Sequence, residues 1–178
     1  MLVLAYSAYT LFVNGVRLAK DSEARLALQK TLISGTGLLS RELSESNPTS
    51  VRSDNFPAGV VFASPRNVNG ALTLSGARVS WEKVIGYYVD EDKKLIRKEW
   101  LLDPLVRQAG FPPTLGAGFS TADIQNEPLP LRHLTGGIED FRVELNGNMA
   151  TVRIQAGQVD SRGREHKVRL QTAVRIQN

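Results

Sequence analysis

Hydrophobic and polar positions divide this chain into two parts that follow different periods. Met1 to Val16 contains no charged residue. From Arg17 to Ser46 the pattern becomes amphipathic, with apolar residues at Leu18, Leu26, Leu28, Leu32, Ile33, Leu39 and Leu43. Leu28, Leu32, Leu39 and Leu43 fall 4, 7 and 4 residues apart, the spacing of one helical face. Lys20, Asp21, Glu23, Arg25, Lys30, Arg41, Glu42 and Glu45 are expected on the wet side. No proline interrupts this stretch, and Asn47-Pro48 stops it because the residue before proline disfavours helical backbone. The pattern predicts one long helix over 2–46, with an apolar stalk at 1–16 and an amphipathic part at 17–46. Gly35 and Gly37 each weaken it by about 1 kcal/mol relative to alanine, and they leave room for an element crossing that face.

Residues 47–178 read as a β-rich head. Strand-like runs occur at Gly59–Ala63, Ala71–Leu74 and Lys83–Val89, the last pairing with Lys94–Leu102 across the polar turn Asp90-Glu91-Asp92-Lys93. Residues 103–136 are rich in Pro and Gly and read as an irregular loop (Pro104, Gly110, Pro112, Pro113, Gly116, Gly118, Pro128, Pro130). In the C-terminal third the period is two. Phe141, Val143 and Leu145 alternate with polar residues, Asn146-Gly147 supplies a hairpin turn, and Val152 and Ile154 continue on the return strand. Val168 to Ile176 alternates likewise. Strands near 140–146, 149–156 and 167–177 with one apolar face require a cover, and the helical stripe is the available one. The expected fold class is therefore α+β, a long N-terminal helix packed on antiparallel β-sheet.

Composition narrows the chemistry. The length and 42% hydrophobic content support one core. A net charge of +4 and a pI near 9.6 are compatible with anionic partners without requiring one. The absence of cysteine excludes disulfides, thiolate nucleophiles and cysteine-ligated zinc. The apolar opening lacks the basic region of a cleavable signal peptide. At 16 uncharged residues it is also shorter than the ~20 needed to span a bilayer. A buried helix is one explanation; the trailing end of a membrane helix that begins upstream of Met1 is the expected one.

No enzyme motif emerges. His133 and His166 stand apart from any nucleophile or second ligand that a triad or metal site would need. Asp90-Glu91-Asp92 lacks the spread of oxygen ligands of a calcium loop and is expected to be a solvated hairpin tip. Gly35-Thr-Gly37 and Gly116-Ala-Gly118 lack the strand, helix and Gly-Lys-Ser/Thr context of a phosphate loop. Alternation would place Arg142, Arg153, Arg169 and Arg175 on one sheet face, near Arg162, Arg164 and Lys167. Such a face could contact nucleic acid or acidic subunits, but it lacks interleaved aromatic residues and Glu144 interrupts it, so a solvated outer face is the expectation.

Three segments resemble a known family. Arg25-Leu-Ala-Leu-Gln-Lys with Leu38-Leu-Ser-Arg-Glu-Leu43 is similar to the helix of type IV pilin-like proteins. Val84-Ile-Gly-Tyr-Tyr-Val89 followed by Lys94-Leu-Ile-Arg-Lys-Glu-Trp100 is similar to their tyrosine-rich hairpin, and Leu170-Gln-Thr-Ala-Val-Arg-Ile-Gln-Asn178 to their last strand. In order and type these segments resemble a minor pilin of the W type or the J-type pseudopilin of type II secretion. The Gly-Phe-Thr-Leu-x-Glu signal of that family has no counterpart in this chain, so its processing site and early glutamate map to no residue here. The resemblance implies a non-catalytic subunit, with no cofactor and no assigned metal ligand, that builds or primes a type IV pilus or type II secretion filament. Leu2, Leu4, Leu11, Phe12 and Val16 would be buried among neighbouring stalks. Other minor pilins or pseudopilins, the major subunit and the membrane would be the partners. The implied location is the inner membrane with a periplasmic head, or a cell-surface filament. Two rivals are a surface-displayed module for DNA uptake or adhesion, using the basic face or the 103–136 loop, and a soluble enzyme whose apolar N-terminus is an internal helix.

Overall fold

The computed structural model describes residues 2–55, 58–76, 78–103, 107, 115, 119–159 and 163–177, with side chains from residue 9 onward except those of 10 and 75. Helix α1 (Leu2–Ser44) holds 43 residues and so extends about 65 Å at 1.5 Å per residue. It ends where expected. The Ser46 N–H and hydroxyl both donate to the Leu43 carbonyl, at 3.1 and 2.7 Å, and Asn47 Oδ1 accepts from Thr49 N to open a short 3-10 turn at Pro48–Ser50. At the other end of the chain, Gln177 N–H donates to the Ser44 carbonyl, which has no partner within the helix.

Among the described residues ten strands follow, β1 (Val51–Asn55), β2 (Ala58–Ser64), β3 (Leu74–Ser75), β4 (Arg78–Val79), β5 (Lys83–Val89), β6 (Leu95–Leu101), β7 (Leu131–Thr135), β8 (Ile138–Asn146), β9 (Met149–Val159) and β10 (Glu165–Arg175), with the short helix α2 (Thr121–Asn126) between β6 and β7. They form a five-stranded sheet in the order β1-β2-β5-β6-β7, a three-stranded sheet β10-β9-β8 and the small pair β3-β4. All pairings are antiparallel. The α+β expectation of a long helix on antiparallel sheet is observed, with the strands shared between two main sheets. Leu28, Leu32, Leu39 and Leu43 are all buried in one core with Phe62, Ile85, Tyr87 and Leu95 of the larger sheet and Phe141, Val152 and Ile154 of the smaller. The helical stripe thus closes the space between two sheets, and the alternation of β8 and β9 faces it.

The stretch 103–136 departs from the irregular loop expected. It contains α2 and β7. Ser120 caps α2 with a capping box: its hydroxyl accepts from Asp123 N at 3.2 Å, and its own N–H donates to Asp123 Oδ2 at 2.8 Å. Asp54 Oδ2 accepts from both the N–H and the hydroxyl of Thr121. At the other end, the buried Lys98 ammonium donates to the carbonyls of Ile124, Gln125 and Glu127 at 3.1, 2.8 and 2.9 Å. Ile124 then fills a second core on the far face of the larger sheet, with Val61, Val84, Tyr88 and Ile96. Gly86 is required beneath it, since a Cβ there would meet Ile124 Cγ2 at 2.8 Å. The β8–β9 turn also lies one residue further on than expected. Asn146 pairs with Met149, and Gly147 takes a φ of +59° at the first central position, where a type II′ turn needs glycine.

Candidate functional site

The first half of α1 stands outside the head. Among the described residues the first tie to the rest of the chain is the ion pair of Asp21 with Arg164, whose Nη1 lies 2.6 Å from Asp21 Oδ2, and the first core residue is Leu28. Among the described side chains before Asp21 none is buried, and only Val13 is half-buried. Leu11 is 73% exposed, Phe12 70% and Val16 39%, with Tyr9 and Leu18 also exposed. At about 100° per residue these positions cover roughly half of the helix circumference rather than one narrow seam. A surface of that breadth suits burial by more than one neighbouring helix. Leu2 and Leu4 lie on the same helix, but their side chains are outside the described residues. No helix among the described residues is long and apolar enough to cross a membrane.

Where the helix enters the head, it carries a buried polar network that sequence reasoning missed. Glu42, expected on the wet side, is 6% exposed. Its carboxylate accepts from Tyr87 Oη at 2.5 Å and from Arg97 Nε and Nη2 at 3.0 and 2.7 Å. Glu99 Oε1 lies 2.5 Å from Arg97 Nη2, and Glu99 Oε2 lies 2.9 Å from the Lys83 ammonium. Burial pushes the Tyr87 phenol up, and the Glu42 charge adds to this. Burial alone would also raise the Glu99 carboxyl, but Lys83 and Arg97 outweigh it and hold the group below the usual carboxylate range. Every member has its partners, so the network fixes the register of the helix against β5 and β6 and leaves no nucleophile or proton carrier free. The signal available in the sequence was the position of Glu42 beside Leu43, together with Tyr87 and Arg97 at even spacing in facing strands. A second clamp, Arg66 donating to both oxygens of Glu45 at 2.5 and 2.6 Å, ties the loop after β2 to the end of the helix.

Arg142, Arg153, Arg169 and Arg175 do share the outward face of the smaller sheet. Arg142 is opposite Arg153, Arg169 opposite Gln155, and Arg175 opposite Met149. Acidic side chains interleave them: Arg142 pairs with Asp140 and Arg153 with Glu144, while Lys167 pairs with Glu139 and Glu165. Arg162 lies outside the described residues, as does most of 104–118. His133 is on β7 and His166 on β10, in different sheets, and no cluster of three His, Asp or Glu side chains that could hold a metal occurs among the described residues. Asp90 to Lys94 forms the expected hairpin tip, closed by Asp90 N–H donating to the Lys94 carbonyl at 3.0 Å and Lys93 at a φ of +59°.

No protein-family model matches the chain, and neither a characterised protein nor a solved structure matches it.

Proposed function

We propose that the chain is a non-catalytic minor pilin or pseudopilin that assembles into, or primes, a type IV pilus or type II secretion filament. The observation that carries this reading is the exposed apolar half-cylinder of α1, including Leu11, Phe12 and Val16, on the same helix whose second half is the head's core. Burying such side chains is worth about 1.5–3 kcal/mol each, which favours association of stalks once neighbours are present. The three sequence segments that resemble this family add to it. A photo-crosslinking residue at Leu11 or Phe12, introduced in the organism that makes the protein, tests the reading. Adducts with subunits that carry a similar N-terminal helix are expected; a chain that stays uncrosslinked and monomeric there would refute it.

The outward arginines support a second reading, a surface-displayed module that binds nucleic acid or another anion. Arg169 and Arg175 have no carboxylate partner among the described residues. Binding through several such groups would weaken steeply between low and physiological salt. Salt-independent or absent DNA binding removes this reading.

A further inference from the structure

Strand β6 outruns its neighbour. It pairs with β5 over Leu95–Leu101, but its ladder with β7 stops at Lys98↔Leu131. The reason is Pro130, which would stand opposite Glu99 and has no N–H to offer the Glu99 carbonyl. Leu102 N–H donates to Glu82, on the β5 side. Because backbone groups alternate in direction along an antiparallel strand, the N–H and C=O of Leu101 and the C=O of Glu99 point to the opposite, unpaired side. Among the described residues Leu101 has no hydrogen-bond partner for either group.

This open edge lies in a groove of about 550 Å³. Trp100, Leu129 and Leu131 supply apolar wall; Val68 and Leu101, 68% and 49% exposed, also line the groove, Leu101 on the Arg97 face opposite Lys83. Arg132 also lines it. Cross-strand pairing puts Arg132 on the same face as Arg97, where Lys83 and Arg97 pair with the carboxylates of Glu99 and Glu42. That is three cations against two anions, and Arg132 has no carboxylate partner among the described residues. Leu131, opposite Lys98, belongs to the other face with Trp100. A strand laid along the open edge would therefore meet a hydrophobic wall with one side chain and an uncompensated guanidinium with the next.

We propose that the groove is a strand-addition site for an extended peptide segment of a partner protein in which apolar and acidic residues alternate. The backbone of the segment would take up the unpaired groups of Glu99 and Leu101, its apolar side chains would pack on Trp100 and Leu131, and a carboxylate would pair with Arg132. This site is independent of the stalk and of the assembly reading.

The test uses the full chain and a labelled peptide, Val-Glu-Leu-Glu-Val, followed by fluorescence anisotropy and by amide hydrogen exchange over 95–101. The expected results are protection of the Leu101 amide on binding and affinity at least tenfold higher than for the isomer Glu-Glu-Val-Leu-Val. Arg132→Ala should remove about tenfold of that affinity while leaving Val-Gln-Leu-Gln-Val unaffected. Leu101→Pro deletes an outward donor without breaking the β5 ladder and should abolish binding. Leu131→Asp, at a half-exposed wall position, does the same job should the proline variant fold poorly. Binding blind to alternation, binding without protection at Leu101, or no binding would each overturn the proposal. Protection that rises with protein concentration in the absence of peptide would overturn it too, by placing a second copy at the edge.

Discussion

Tyr87 is held between a carboxylate and a guanidinium in the core, with its hydroxyl 2.5 Å from Glu42 and Arg97 over its ring at 6.0 Å. Its raised pKa has a direct consequence. The folded state keeps the phenol protonated where the unfolded chain, near its ordinary value of 10.0, begins to lose the proton. Stability is therefore complete below pH about 10 and falls as pH rises above it. Tyr87→Phe should cost about 1–3 kcal/mol at neutral pH by leaving Glu42 one donor short, and it should flatten the alkaline decline measured by denaturant melts between pH 9 and 11. An unchanged decline would place its source elsewhere, Tyr88 being another tyrosine raised by burial. Glu99 works in the opposite direction. Its depressed pKa contributes stability that is present above the usual carboxylate value and lost as pH falls through the lower folded one. At Gly35 the residue scale offers a gain. A Cβ there would meet Leu134, Leu95 and Thr135 only at 3.8–3.9 Å, ordinary contact. The close approach its small size suggests is therefore not demanded, and Gly35→Ala should stabilise the protein by about 1 kcal/mol in thermal melts.

The elements were legible in proportion to how far each one's own residues decide it. The stripe Leu28, Leu32, Leu39, Leu43 names its face by spacing alone, and all four are buried. The alternation in β8 to β10 does the same at period two. Strand β7 and helix α2 were not legible, since each owes its place to distant partners. In β7 three of five residues are exposed, so no apolar period marks it. Helix α2 has only six residues, fewer than an isolated helix needs, and it is held at its ends by Asp54 and Lys98 from two different strands. The division into two sheets was hidden for the same reason, because alternation identifies a face and not which sheet it belongs to. The dependence of α2 on Lys98 can be measured. Lys98→Met keeps the apolar stem but leaves the Ile124 and Gln125 carbonyls without their donor, while Glu127 keeps only the Leu129 N–H. Amide exchange over 121–126 should then accelerate at least tenfold while the strands of the smaller sheet keep their protection. Equal acceleration everywhere would mean that α2 and the main core unfold as one unit.

At the scale of the whole molecule, one helix is exposed in its first half and core in its second, and this sets the sharpest contrast available to experiment. Leu39 is fully buried between the two sheets. Its truncation removes apolar contacts on all sides and leaves a void, so Leu39→Ala should lower head stability by about 2–5 kcal/mol. Residues 1–16 precede the Asp21–Arg164 tie and every core residue among the described ones. Deleting them should leave the melting temperature of the head within about 2 °C of the parent, since none of their described side chains belongs to the core. The same deletion should abolish association through stalks, while Leu39→Ala at a temperature where it remains folded should keep it. Melting curves and sedimentation of the two variants beside the parent decide the matter. A deletion that unfolds the head would mean that residues 1–16 are part of its fold. A Leu39→Ala protein as stable as the parent would mean that the core between the sheets does not depend on the helix that closes it.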